Sequence, residues 1–152
     1  MNGSTVPWAQ SQWNRFACAS QQDYVFLNVG INDLNFTIRR IDDVISDYQD
    51  LVDSILSSGC VTEVYAFNVT PVGSSPLWRP SLQAELEELN ATIAAIPGVT
   101  LIDVHSMLVD PATAGGPQPA LDPIYDGGDG LHWNEAARIL VAEFVCDLID
   151  DQ

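Results

Sequence analysis

The stretch Asp23-Tyr24-Val25-Phe26-Leu27-Asn28-Val29-Gly30-Ile31-Asn32-Asp33 decides the fold. Its first seven residues form a short, β-rich apolar run that stops at a glycine. A run of that length reads as a buried strand of a parallel sheet, because such strands are covered on both faces and do not alternate with polar residues. The next segment is helical. Ile41, Val44, Ile45, Tyr48, Leu51, Val52, Ile55 and Leu56 recur at steps of three and four, with Thr37 as a candidate cap and Gly59 as the stop.

Working outward, a helix from Pro7 to about Ala17 precedes the first strand, with Trp8, Trp13 and Phe16 as its apolar contacts. A second strand is expected over Glu63–Val69, then a helix over Ser81–Ile96 with Leu82, Leu86, Leu89 and Ile93 on one face. A third strand follows over Val99–Val104. The last helix runs over Asn134–Ile149 with Ala137, Leu140, Phe144 and Leu148 inward. The alternation predicts α/β architecture: right-handed crossovers, a parallel sheet covered on both faces, and one domain over residues 1–152. Sites in such folds sit at the carboxyl ends of strands. Gly30–Asn35, Pro71–Ser75 and a loop over Asp110–Leu131 all fall there. A loop that long inside a compact domain usually serves a function.

Composition narrows the partners. The formal net charge is −16, and all five cations are arginines: Arg15, Arg39, Arg40, Arg79 and Arg138. Nothing here neutralises a row of phosphates, so neither nucleic acid nor an anionic membrane surface is expected as a partner. No apolar run has the ~20 residues that a membrane span requires. Cys18, Cys60 and Cys146 lack metal-ligand spacing. They read as small buried hydrophobes, the alternative being one disulfide and a free thiol. Asn2, Asn35, Asn68 and Asn90 each begin an Asn-x-Ser/Thr triplet, the acceptor pattern of a glycosylated, secreted protein. The opening residues contain neither a basic region nor an apolar run of signal-peptide type. An extracellular location is therefore expected only with a signal upstream.

Two constellations carry chemistry. Gly30-Ile31-Asn32-Asp33 comes directly after a strand. There Gly30 allows a sharp turn, and Asn32 offers an amide donor to a developing oxyanion. An ordinary turn has the same composition. Asp129-Gly130-Leu131-His132 closes the long loop. A carboxylate three residues before a histidine can hold the imidazole by its Nδ1–H and leave Nε2 as a general base. A capping aspartate beside a surface histidine has the same spacing. His105, at a strand end without a partner at useful spacing, reads as a packing or surface histidine.

Taken together these motifs resemble the SGNH hydrolases, also called GDSL esterases or lipases, over roughly residues 20–150. Val25-Phe26-Leu27-Asn28-Val29-Gly30-Ile31-Asn32-Asp33 is similar to the block that supplies the oxyanion asparagine, and Asp129-Gly130-Leu131-His132-Trp133-Asn134 to the block that supplies the acid and base of the triad. The run from Leu89 to Val104 resembles the family's approach to its last strand. The resemblance implies a three-layer, flavodoxin-like fold and ester hydrolysis without metal or organic cofactor. In it, His132 and Asp129 are catalytic, Asn32 is an oxyanion donor and Gly30 shapes the loop. The substrate it implies is a small acyl ester, with acetyl groups on carbohydrate preferred over long-chain lipid.

The chain departs from the family pattern at its start. No Gly-Asp-Ser occurs in it, and 29 residues precede Gly30. Asn2-Gly3-Ser4-Thr5 aligns with the block that contributes a glycine N–H, which makes Gly3 an oxyanion candidate. On that alignment the domain is N-terminally incomplete and lacks its first strands and serine. Ser4 is the candidate nucleophile within the chain. Ser11, Ser20, Ser74 and Ser75 have weaker claims. Trp133 stands where the family most often has proline. The alternative function is a catalytically inactive fragment or an interaction domain. Its corollary is an exposed sheet edge along Tyr24–Val29, open to a second copy or a partner chain.

Overall fold

A computed structural model describes residues 4–16, 18, 22–35 and 39–150. The elements are α1 (Val6–Phe16), β1 (Gln22–Leu27), α2 (Ile31–Asn35), α3 (Ile41–Ser57), β2 (Val61–Phe67), α4 (Pro80–Ala95), β3 (Val99–Ile102), α5 (Val104–Leu108) and α6 (Glu135–Asp150). They group into two compact units. The first contains residues 1–69 and 84–102, the second residues 70–83 and 103–152.

The first unit is the α/β core. Its sheet has the order β1-β2-β3 and is parallel throughout, with Val25 beside Val64 and Ala66 beside Leu101. Parallel neighbours need a long crossover, and α3 and α4 supply the two required here. In α3, Val44, Tyr48, Leu51, Val52 and Ile55 are buried, as the periodicity predicts. Asp42 and Asp43 sit in its first turn, where carboxylates oppose the positive end of the helix dipole. Arg40 stands at the N-cap without a side-chain cap bond, and the predicted cap Thr37 lies outside the described residues. Leu82, Leu86, Leu89 and Ile93 of α4 are all buried.

β1 lies at the edge of the sheet formed by the described strands, which agrees with the exposed edge expected along Tyr24–Val29. Its expected burial is corrected: Tyr24 and Phe26 are 36% and 39% exposed. Their rings lie over the buried Tyr65 of β2, Phe26 stacked at a 5.0 Å centroid distance and Tyr24 edge-on at 5.9 Å. Trp8 and Phe16 of α1 are exposed, and with Trp13, Val25, Leu27, Leu51 and Ile55 they line an apolar cavity of about 430 Å³. Of the two readings of the cysteines, the structure shows the alternative: Cys18 and Cys60 form a disulfide, their Cα atoms 5.3 Å apart, and Cys146 is a free thiol.

The asparagine triplets have structural explanations at the described positions. The Asn90 carboxamide accepts from Val69 N at 2.7 Å and donates to Val69 O at 2.9 Å, pinning α4 to the end of β2. Asn68 is buried, and the side-chain amide atoms of Asn35 are buried. A glycan on any of these three would have to displace packed structure. Asn2 lies outside the described residues.

The second unit holds α5, α6 and the long loop. Asp103 caps α5, its carboxylate accepting from Ser106 N. The loop is tied down by backbone bonds, Asp110 N to Ala120 O at 2.9 Å and Gly73 N to Pro119 O at 2.7 Å. In α6, Ala137 and Val141 are the buried residues. Leu140 and Leu148 are half-buried and Phe144 is 41% exposed, so the predicted inward face is rotated towards Val141.

Candidate active site

In the first unit the candidate oxyanion residue sits on a turn that only glycine permits. Gly30 has φ +122°, and a Cβ there would lie 2.8 Å from Leu89 Cδ2. The chain then enters α2, which carries Asn32 and Asp33. Asn32 is half-buried, and its Nδ2 donates to Ser4 O at 2.8 Å. A carboxamide has two N–H donors, so this bond orients the group by using one of them. The structure thus brings Asn32 and the Ser4 backbone together. Gly3 lies outside the described residues, as does Ser20. Ser11 sits in α1 with its hydroxyl on Trp8 O.

Asp33 is fully buried. Its carboxylate accepts from Val6 N at 2.9 Å and from Arg39 at 3.1 Å, and Arg39 also reaches Asp47 at 2.6 Å. Burial pushes the Asp33 carboxyl above its ordinary range, with the Val6 N–H and the Arg39 guanidinium working against that shift. The effect is structural: Asp33 fastens the start of α1, and with it the Ser4 segment, to the turn that presents Asn32.

In the second unit, Asp129 and His132 form the expected pair. Asp129 Oδ2 lies 2.6 Å from His132 Nδ1, and Asp129 Oδ1 accepts from Leu131 N at 3.0 Å and His132 N at 2.8 Å. The His132 backbone N–H, then its imidazole, hold the Asp129 carboxyl down at about 2, against an ordinary 3.8. Such a depressed acid contributes stability above its unfolded pKa and loses it as pH falls through the folded one. The loop's share is therefore expected to be full above pH 3.8 and to disappear towards pH 2. A carboxyl ¹³C titration of Asp129 with a midpoint near 2 is the expected result. An ordinary midpoint would show that the pair does not form in solution.

The loop that carries this pair depends on a residue that sequence reasoning missed. Asp126 accepts from Gly128 N at 2.8 Å, Asp129 N at 3.2 Å and Gly130 N at 3.0 Å. The signal available was an aspartate followed by Gly127, Gly128 and Gly130, a composition that suits backbone N–H groups folded around a side-chain acceptor. Gly130 has φ +70°, and a Cβ there would overlap the Ser74–Ser75 backbone. Asn134 closes the loop onto α6. Its Oδ1 accepts from Ala137 N at 3.1 Å, and its Nδ2 donates to Ile124 O at 2.8 Å. Trp133 pairs with Asp126 through an isolated bridge. Among the described residues, no three His, Cys, Asp or Glu side chains converge as metal ligands, and no helix is long and apolar enough to cross a membrane.

Residues 1–138 match the family described as GDSL-like lipase/acylhydrolase. The chain belongs to that family. Solved structures agree on the GDSL fold. A GDSL-like lipase from Bacteroides thetaiotaomicron is similar with a TM-score of 0.76 and 17% identity, covering 98% of this chain and 72% of its own. An acetyl-xylooligosaccharide esterase from Geobacillus is similar with a TM-score of 0.64 and 15% identity, covering 93% and 65%. A carbohydrate esterase of family 3 from Talaromyces cellulolyticus has a TM-score of 0.58 and 18% identity, covering 97% and 64%. A search of the curated proteins finds no match. At these identities the structural likeness shows the GDSL fold alone: the parallel sheet and its helices are those of the family.

Proposed function

We propose that this chain carries the acid–base and oxyanion groups of an SGNH-type ester hydrolase. The observation that carries the reading is the 2.6 Å contact between Asp129 and His132, on the motif the family uses for this purpose. Asp129 keeps the proton of His132 on Nδ1 and leaves Nε2 as the base. In the reaction, a serine Oγ attacks the acyl carbonyl while Nε2 takes its proton. The carbonyl oxygen becomes an oxyanion, stabilised by Asn32 and a glycine N–H for which Gly3 is the candidate. Collapse expels the alcohol, which leaves with the proton from His132, and water then hydrolyses the acyl-enzyme by the same steps in reverse. Support for assigning Asn32 and His132 to one reaction is the order of the motifs along the chain.

Small acyl esters are the proposed substrates, with acetyl groups on carbohydrate as the narrower reading. Two structurally similar proteins are named as carbohydrate-directed esterases, which supports it. An oxidising, extracellular compartment is proposed on the Cys18–Cys60 disulfide.

Ser4 is the nucleophile candidate within the chain. Treatment with an activated phosphonate ester and then peptide mass spectrometry tests this. A label on Ser4, absent from His132→Ala, supports both assignments, and a label on another serine reassigns the nucleophile. The absence of any Gly-Asp-Ser favours a second reading, in which the chain keeps the fold without turnover; an unlabelled, folded protein would support it. On either reading the open edge of β1, with Tyr24 and Phe26 exposed, is proposed to pair with a second copy or a partner chain. Sedimentation of the purified chain above its 16.5 kDa mass is expected, and a clean monomer at high concentration would count against self-pairing.

A further inference from the structure

We infer that Asp126 is a positioning residue for the Asp129–His132 pair, a role that rests on reading His132 as the general base. Asp129 and His132 stand on a turn, and their side chains are 52% and 63% exposed. Side-chain packing therefore holds the pair only in part, and the hydrogen bonds of the turn do the rest. Three backbone N–H groups of the turn converge on the Asp126 carboxylate. One oxygen receives the N–H groups of Gly128, Asp129 and Gly130, and the other receives Gly130 again at 3.1 Å. A carboxylate acceptor makes each of these stronger than a neutral bond.

Asp126 is itself anchored by its backbone. Asn134 Nδ2 donates to the Asp126 carbonyl at 3.2 Å, and Gly127 N donates to His132 O at 2.7 Å. The ring thus closes on both sides of the pair. The backbone can curl round the carboxylate because Gly128 and Gly130 adopt φ +104° and +70°, and a Cβ on Gly127 would lie 2.8 Å from His132 O. Removing the Asp126 carboxylate leaves three N–H groups without that acceptor, one of them belonging to Asp129. The Asp129 carboxylate keeps its bonds from Leu131 N and His132 N, but the backbone that carries it loses its anchor, and with it the fixed aim of Oδ2 at Nδ1.

The test is the Nδ1–H proton of His132, observed by NMR in uniformly ¹⁵N-labelled protein and assigned by its absence from His132→Ala. A short bond to a carboxylate shifts this proton far downfield and shields it from exchange. Loss of the resonance in Asp126→Ala is expected, with a dispersed amide spectrum showing that the protein is folded. Retention is expected in Asp126→Asn, whose side-chain oxygen still accepts from the turn. Should Asp126→Ala fail to fold, Asp126→Ser, with its shorter reach, carries the same expectation. An unchanged resonance in a folded Asp126→Ala or Asp126→Ser overturns the inference. The absence of the resonance from the unsubstituted protein overturns the pairing of Asp129 with His132 itself.

Discussion

Replacing Asp129 by asparagine is expected to lower kcat/KM for a small acetyl ester by about 10⁴-fold, with KM unchanged. The introduced carboxamide would keep an oxygen for the Leu131 and His132 N–H groups, which Asp129 Oδ1 now accepts. The loop therefore stays folded. What changes is the atom facing Nδ1. An amide N–H there makes Nδ1 the acceptor and moves the imidazole proton to Nε2, so the nitrogen that should take the serine proton already carries one. Steady-state kinetics on the purified variant check this. A loss smaller than about tenfold would mean that the carboxylate does not set the tautomer. Asn32→Ala is expected to cost less, about 10²–10³-fold in kcat, because it removes a single oxyanion donor.

Opening the Cys18–Cys60 bridge is expected to lower stability by about 4 kcal/mol, the chain-entropy value for its sequence separation of 42. The bridge ties the end of α1 to the residue just before β2, so without it the unfolded chain regains the freedom of that whole loop. Urea unfolding with and without a thiol reductant, and of Cys60→Ser, measures the loss. Cys146, exposed and unpaired, serves as the control, and Cys146→Ala should leave the midpoint in place. Equal stability under oxidising and reducing conditions would remove both the energetic role and the support it lends to an oxidising compartment.

What was legible in the sequence was local. The three-and-four spacing from Ile41 to Leu56 fixes α3 because a helix face is set by near neighbours. The Asp129–His132 pair was legible for the same reason, since three residues of separation suffice to bring the groups together. Composition alone did not reveal burial in the sheet. Tyr24–Leu27 has the composition of a strand covered on both faces, and its edge position was legible only through the family motif, not through its own residues. In α6 the apolar residues outnumber those one face can bury, so the choice of Val141 over Phe144 was made by packing. The Cys18–Cys60 pairing and the burial of Asp33 both join segments distant in sequence; Val6, whose backbone N–H donates to the Asp33 carboxylate, is 27 residues away. Asp126 escaped notice because its partners are backbone N–H groups, which every residue but proline has.

The measurement that tests the central claim most directly is hydrolysis of 4-nitrophenyl acetate by the purified chain and by His132→Ala. If the chain is an active esterase with His132 as its general base, it turns over the ester and the variant loses about 10⁴-fold or more in kcat/KM. Equal rates above the buffer in the two proteins would contradict His132 as the base, and no turnover by either would contradict the active reading in favour of the fold without turnover.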